Sequence, residues 1–168
     1  RARIVTEVIR AVRERTGPNF TIGVRMNGWE ADPGGLTTAD AVEAAVLLEQ
    51  AGADLLNIST GLKLHSANLS NYTQEGWRIP FAKAVMERVK IPVIGSGGLR
   101  HIDYMERLLE EGAVDLIGIG RPFIADPEWV NKAAAGQADA IVPCLSCNIG
   151  CAGNRINGKR SIQCAVNT

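Results

Sequence analysis

The sequence predicts an α/β protein that forms the C-terminal half of a TIM (βα)₈ barrel, with four βα units, followed by a Cys-rich cluster-binding loop. Three observations predict this fold. Four short apolar runs alternate with segments of helical periodicity, as in parallel sheets whose strands are joined by helices. The chain has 168 residues, whereas a complete barrel usually has about 250. All four cysteines lie between Cys144 and Cys164, after the last βα unit.

The apolar runs predict strands over residues 20–26, 54–59, 91–95 and 114–119. Their nearly continuous apolar character is typical of strands that are covered on both faces. The helical patterns cover residues 6–15, 79–89 and 102–111. Two further helices are predicted from Thr37 or Thr38 to Gly52, and from the Asp126-Pro127 pair to about residue 135.

A weak internal repeat supports the barrel. Residues 50–56 resemble residues 111–117, apart from one inserted residue, and in both a helix ends at Gly and a strand begins at Asp. We expect these two residues, Asp54 and Asp115, to be structural caps. A complete doubly wound sheet is the alternative fold. The half-barrel is favoured because the Gly and Arg residues that could bind a ligand follow strands, and barrel active sites lie at the ends of strands.

Composition excludes several classes of protein. The 18 Lys and Arg balance 18 Asp and Glu, and the isoelectric point is about 6.9, which argues against nucleic acid or an anionic membrane as partner. No apolar run reaches the ~18 residues of a membrane span. The first 15 residues alternate charged and apolar side chains, unlike a secretory signal. We expect a cytoplasmic protein with a small-molecule substrate.

The cysteines follow the pattern C-x₂-C-x₃-C, with one more Cys after twelve intervening residues. The four are Cys144, Cys147, Cys151 and Cys164. Four converging thiolates are the ligands of a [4Fe–4S] cluster. Structural zinc is the alternative, but zinc sites usually add a second C-x₂-C pair or histidines, and disulfides come third. The sequence therefore predicts a cluster-binding segment over residues 141–168, after a barrel segment over residues 1–140.

Two Gly-rich loops follow the third and fourth predicted strands. They are Gly95-Ser96-Gly97-Gly98 and Gly118-Ile119-Gly120-Arg121. In barrels, the loops after the last two strands commonly bind phosphate through backbone N–H groups, and Arg121 would add a fork of donors. The alternative is that the glycines only turn the chain. Their occurrence at neighbouring strand ends, with an Arg, favours an anion site.

Two further residues are candidates. Arg25 lies in a predicted strand, where a buried charge is costly unless it is paired. A carboxylate partner across the barrel and a ligand are equally compatible with this position. His65 follows the second strand, and without other information a surface loop histidine is the favoured interpretation.

The motifs resemble those of the old yellow enzyme superfamily. They are GVRMN, PVIGSGGL, DLIGIGRPFIADPEW and CLSCNIGC followed by Cys164, and the resemblance runs from about Ile4 to Thr168. They are most similar to the iron–sulfur branch, which includes 2,4-dienoyl-CoA reductase and trimethylamine dehydrogenase. The resemblance implies an FMN-binding barrel.

The resemblance also implies site residues. Arg25 would lie by the flavin pyrimidine edge, and His65 would help deliver the substrate proton. The FMN phosphate would lie against the two Gly loops, and the four cysteines would hold the cluster. The cofactor-binding candidates are Arg25, Ser96, Gly97, Gly98, Gly120 and Arg121.

The implied function is that of an FMN- and [4Fe–4S]-dependent oxidoreductase, with NAD(P)H-linked reduction of an enoyl or dienoyl substrate. The cluster would pass electrons between FMN and an FAD fed by NAD(P)H. An amine dehydrogenase or demethylase of the same branch is the first alternative, and a zinc-stabilised α/β binding module without redox activity is the second. The resemblance implies a fragment, inactive alone, of a chain that also carries an N-terminal half-barrel and C-terminal nucleotide-binding domains.

Overall fold

The computed structural model describes residues 2–61, 74–158 and 161–167, with backbone only for residues 155–158. Its centre is a parallel sheet of four strands in the order β1-β2-β3-β4. The strands are β1 (Gly23–Asn27), β2 (Leu55–Ser59), β3 (Val93–Ser96) and β4 (Leu116–Gly118). A doubly wound sheet reverses its strand order at a switch point, whereas each strand here lies beside its predecessor. This sequential order is that of a barrel segment.

Among the described residues, three α-helices connect successive strands: α2 (Thr38–Gln50), α3 (Ile79–Met86) and α4 (Ile102–Glu110). Helix α1 (Arg3–Thr16) precedes β1, and helices α5 (Arg121–Ala125) and α6 (Trp129–Ala134) follow β4. Helix α2 begins at a capping box, in which the Thr37 side chain accepts from the Asp40 backbone N–H and the Asp40 side chain accepts from the Thr37 N–H. The predicted cap at Thr37 is thus confirmed.

One short helix was not predicted. Helix α5 has five residues and carries Pro122 in its first turn, where the missing N–H of proline has no cost. The predicted start of the last helix at Asp126 is wrong, because α6 begins at Trp129. The Asp126 carboxylate instead accepts a hydrogen bond from the backbone N–H of Glu128, in the turn before the helix.

The two aspartates predicted as structural caps lie at the amino ends of the strands. The Asp54 carboxylate accepts hydrogen bonds from the Ile22 backbone N–H, at 2.6 Å, and from Arg13. The Asp115 carboxylate accepts one from the Val93 N–H, at 2.9 Å. Each carboxylate thus joins its strand to the start of the preceding neighbour, which confirms the structural role. The predicted strands are longer than those observed, since these N–H groups bond to side chains outside the ladder.

The core lies around the two central strands. Leu56, Ile58 and Val93 are fully buried beneath α2 and α3. The prediction that every strand is covered on both faces is wrong for the outer strands, because Leu116 in β4 is 47% exposed and β1 pairs on one side only in the described part of the chain. No helix among the described residues has the length and apolar character needed to cross a bilayer.

Candidate functional site

A cavity of about 300 Å³ opens at the carboxyl ends of the strands. Strand and loop residues from all four βα units line it, because the carboxyl ends of parallel strands meet at one edge of a sheet. All six of the predicted cofactor-binding residues contribute to its wall: Arg25, Ser96, Gly97, Gly98, Gly120 and Arg121. The structure therefore brings together residues that are distant in sequence, since Arg25 and Arg121 are 96 positions apart. We call this space the strand-end cavity.

The turn after β3 requires glycine for two reasons. Gly97 and Gly98 have φ angles of +135° and +71°, which side-chain-bearing residues rarely adopt. A Cβ on Gly97 would lie 2.9 Å from the backbone nitrogen of Arg78, whereas a Cβ on Gly98 would have only Arg121 Nη2 nearby, at 4.0 Å. The backbone at Gly98 is thus open to the cavity, and an anion can approach it closely. This geometry fits the phosphate of a flavin nucleotide.

The strand-end cavity carries strong positive charge. Four arginines line it, namely Arg25, Arg78, Arg100 and Arg121, and the lining contains no Asp or Glu among the described residues. Burial, helped by the neighbouring charges of Arg25 and Arg121, lowers the pKa of Arg78 below its usual value. Concentrated positive charge without carboxylates attracts anions.

Arg25 lies on β1 and reaches the cavity from its floor. Its Nη2 donates a hydrogen bond of 3.0 Å to Ser59 Oγ at the end of β2. Ser59 is 8% exposed, so this contact fixes the guanidinium at the carboxyl end of the sheet. Arg25 also contributes to the wall of the cavity, where a ligand can contact it.

The sequence analysis missed several residues that line the cavity, among them Asn57, Arg78 and Arg100. Asn57 interrupts the apolar run of β2, and Arg100 follows the Gly97-Gly98 pair by two positions, so both carried a signal. Asn57 Oδ1 and Arg100 Nε are buried and have no hydrogen-bond partner among the described residues, and such groups usually have a partner in the functional state. Arg78 gave no signal, because it ends a long polar stretch.

The four predicted cluster ligands line a second cavity beside the first. Cys144, Cys147, Cys151 and Cys164 all contribute to this cysteine cavity, and all four are described, half-buried and outside any disulfide. Gly150 accepts a hydrogen bond from the Gln163 N–H, at 3.0 Å. A Cβ on Gly150 would lie 2.5 Å from Gln163 O, so glycine allows the segment that carries Cys164 to approach the other three cysteines.

The residues between the cysteines have unusual backbone conformations. Ser146 and Asn148 have φ angles of +53° and +57°, and among the described residues other than glycine only these two are positive. Arg100 Nη1 donates to Ser146 Oγ at 3.3 Å, and Arg121 Nη1 donates to Asn148 Oδ1 at 2.7 Å. Two arginines of the strand-end cavity therefore hold the cysteine segment in place.

The four cysteines lie around one cavity. Four thiolates that converge on one space are the ligand set of a [4Fe–4S] cluster, in which each binds a different iron. Within residues 2–61, 74–158 and 161–167, no three His, Cys, Asp or Glu side chains lie close enough together to hold a single metal ion. The donor set thus fits the predicted cluster in its chemistry, and the cluster stays a prediction.

The predicted catalytic residue lies outside the described part of the chain. His65 belongs to residues 62–73, for which the structure gives no description. Its role therefore remains a prediction.

Comparison with known proteins identifies the family. Residues 1–140 match the model of the NADH:flavin oxidoreductase / NADH oxidase family. The chain belongs to this family. The match confirms the resemblance to the old yellow enzyme superfamily, and it confirms that the chain has the fold of a flavin oxidoreductase barrel.

Individual relatives agree. The chain is 36% identical, over 99% of its length, to an NADH oxidase from Thermoanaerobacter brockii. It superimposes on 2-naphthoyl-CoA reductase in complex with 2-naphthoyl-CoA with a TM-score of 0.91, at 27% identity over 99% of this chain. It superimposes on histamine dehydrogenase from Rhizobium sp. 4-9 with a TM-score of 0.78, at 29% identity over 88% of this chain. The chain spans about a quarter of the length of these relatives: 26%, 26% and 22%.

Proposed function

We propose that this family member is an FMN- and [4Fe–4S]-dependent oxidoreductase that reduces an enoyl or dienoyl substrate with electrons from NAD(P)H. One observation carries the proposal. All six predicted flavin-binding residues line one cavity, all four predicted cluster ligands line another, and the two cavities share Cys144 and Arg121. A flavin site and a cluster site that share a wall are suited to the exchange of electrons.

The strand-end cavity would hold the flavin nucleotide. The open backbone at Gly98 and the guanidinium of Arg121 would bind the phosphate, with Ser96, Gly97 and Gly120 completing the turn around it. Arg25 would place a fixed positive charge beside the ring, which favours negative charge there over neutrality. When bound, FMN supplies hydride transfer and the cluster supplies one-electron transfer.

Two further roles complete the proposed reaction. His65 would hold the proton that is delivered to the substrate as the double bond is reduced. In the full-length protein, an FAD-binding domain would accept electrons from NAD(P)H and pass them to the cluster. The similarity to 2-naphthoyl-CoA reductase and to an NADH oxidase supports this direction of flow.

An amine dehydrogenase or demethylase is the second candidate. The superposition on histamine dehydrogenase favours it. In that case electrons would flow from an amine to the flavin, and His65 would have no role as a proton donor to a carbon–carbon double bond.

The test begins with the full-length protein purified without oxygen. We expect FMN in the supernatant after denaturation and about four irons per chain. Stoichiometric zinc without iron or flavin would overturn the proposal in favour of the zinc-stabilised binding module.

Turnover then separates the two redox candidates. We expect NAD(P)H consumption that depends on an enoyl or dienoyl thioester or acid, and a His65→Gln variant with kcat lowered about 100-fold at unchanged FMN content. Reduction of the flavin by alkylamines, with no NAD(P)H-dependent reduction of the unsaturated compounds, would instead establish the amine dehydrogenase.

A further inference from the structure

Arg78 lines the strand-end cavity from the side of helix α3. It immediately precedes this helix, and its Nε donates a hydrogen bond of 2.9 Å to Thr60 Oγ1. Thr60 is 4% exposed, and the guanidinium carbon lies 4.3 Å from the centre of the Trp77 ring. The side chain is thus held in place by a buried hydroxyl and an aromatic face of the protein itself. This pre-organisation lowers the entropic cost of binding.

Arg78 packs against the same turn as Arg121. A Cβ on Gly97 would lie 3.0 Å from Arg78 Cβ and 3.3 Å from Arg78 Cγ. On the next residue, Arg121 Nη2 lies 4.0 Å from the place that a Cβ on Gly98 would take, and no closer atom is found among the described residues apart from the chain neighbours of Gly98. The two arginines therefore lie against successive residues of one turn, with the cavity between them.

The positive charges that line this cavity favour a bound anion. The positive charges of Arg25 and Arg121 act on Arg78, and together with burial they lower its pKa. Arginine nevertheless remains protonated at physiological pH. The hydrogen bond to Thr60 is to a neutral group, so the charge of Arg78 is not neutralised by it. An anion between the guanidinium groups would replace mutual repulsion with attraction.

We propose that Arg78 is a further phosphate ligand, which together with Arg121 and the Gly97-Gly98 turn binds the phosphate monoester of a flavin nucleotide from two sides. The inference rests on the proposed function and adds to it a residue that the sequence motifs do not contain. A phosphate monoester carries a charge of about −1.5 to −2 and three acceptor oxygens, which is enough to accept from two guanidinium groups at once.

The experiment compares FMN with riboflavin, which lacks the phosphate. Binding of each to the flavin-depleted full-length protein is measured by flavin fluorescence for the unaltered protein and for Arg78→Gln. We expect Arg78→Gln to raise the Kd for FMN about tenfold or more, since a hydrogen bond to a charged group is lost, and to change the Kd for riboflavin less than about twofold. Arg78→Lys, which keeps the charge without the fork, should have an intermediate effect on FMN.

A matched control removes the same charge elsewhere. Arg88 follows α3, is 59% exposed in its side chain and lies 3.8 Å from a Glu43 carboxylate oxygen. Arg88→Gln should leave both dissociation constants unchanged. Equal weakening of FMN and riboflavin by Arg78→Gln, or no weakening of FMN, would overturn the inference.

Two further measurements test the role of Arg78 if its variants do not fold, and separate that role from the proposed function. If the Arg78 variants do not fold, arginine modification by phenylglyoxal is mapped by mass spectrometry in the unaltered protein. FMN should protect Arg78 and riboflavin should not, and equal or absent protection would contradict the inference. Unaltered protein that binds neither flavin would overturn the proposed function itself, whereas normal FMN binding with an unaffected Arg78→Gln variant would overturn only the role of Arg78.

Discussion

Arg121 Nη1 donates a hydrogen bond of 2.7 Å to Asn148 Oδ1, which joins the strand-end cavity to the cysteine segment. Arg121 begins helix α5 at the end of β4, and Asn148 directly follows Cys147. The same guanidinium lies beside Gly98, so a ligand that orders Arg121 also orders the backbone between the cysteines. Arg100 and Ser146 form a parallel link. Occupation of one cavity should therefore stabilise the other.

Substitution of Asn148 tests this link. Asn148→Ala removes the acceptor for Arg121 and places a Cβ-bearing residue without a local hydrogen bond at φ +57°, which costs about 1–2 kcal/mol. We expect roughly tenfold faster loss of iron–sulfur absorbance under air than in the unaltered protein. Asn148→Gly relieves the backbone strain and should lose absorbance at an intermediate rate. Asn148→Asp keeps an acceptor and should be closest to the unaltered protein, and equal rates in all four proteins would refute the link.

Substitution of Gly98, compared with that of Gly136, distinguishes the effect of backbone strain from the effect of blocking the ligand. Gly98 and Gly136 have nearly the same φ angles, +71° and +70°, and a Cβ on Gly136 would have no atom within 4 Å. We expect Gly98→Ala and Gly136→Ala each to lower the free energy of unfolding by about 1 kcal/mol. Only Gly98→Ala should also weaken FMN binding, because its methyl group would project toward Arg121 where the anion approaches. Equal FMN affinity in both variants, measured by fluorescence titration, would remove Gly98 from the proposed site.

Glu75 supports the cavity from behind the turn. Its carboxylate accepts hydrogen bonds from the backbone N–H groups of Arg100 and His101 and contacts the His101 ring at 2.6 Å. Burial opposes ionisation, but the hydrogen bonds from His101 and Arg100 outweigh it and lower the pKa of Glu75. It thus adds negative charge at the start of α4, where the first turn already carries Asp103 and the N-cap residue His101 makes no side-chain cap.

We expect Glu75→Gln to lower the free energy of unfolding by about 1 kcal/mol. It should also weaken FMN binding modestly, since Arg100 and the turn before it lose their anchor. Urea denaturation and FMN titration measure the two effects. Glu106→Gln, at an exposed position on the same helix, is the control, and a Glu75 variant that matches it in both assays would contradict this role.

Asp126 should make stability depend on pH. Its carboxylate accepts hydrogen bonds from Lys132 Nζ at 2.7 Å and from the Val142 N–H at 2.9 Å, and these contacts lower the pKa of Asp126 below its usual value. A lowered folded-state pKa stabilises the fold above the unfolded-state pKa of about 3.9, and this contribution is lost as pH falls through the folded-state value. We therefore expect the midpoint temperature of thermal unfolding to fall once the pH is lowered below about 4.

The Asp126→Asn variant isolates this contribution. It should melt at a lower temperature than the unaltered protein at neutral pH, and its midpoint should change less between about pH 5 and pH 3. The difference between the two proteins, measured by circular dichroism, should shrink on acidification. A constant difference over this range would show that the Asp126 carboxylate does not contribute in this way.

The periodicity of apolar residues, together with the Gly and Pro residues that end helices and strands, determined much of the fold. The four strands and five of the six α-helices in the described part of the chain could be predicted, because alternating apolar runs and helical patterns are local properties of the chain. Asp54 and Asp115 were recognisable from a repeated motif. The ends of the strands and helix α5 were not, since Asp side chains replace ladder partners at Ile22 and Val93, and a five-residue helix has too few residues to show a period.

The sequence alone determined which residues have the chemistry for an anion site and a metal centre: the glycines after two strands, Arg121 and the four cysteines. Only the tertiary structure decided that Arg78 and Arg100 share the cavity with them, and that arginines hold Ser146 and Asn148 between the cysteines. The physical reason is that a sequence motif contains only residues that are close together in the chain, whereas the cavity is formed by residues that are distant in the chain. Charge accumulates in this cavity because parallel strands bring together side chains as distant as Arg25 and Arg121.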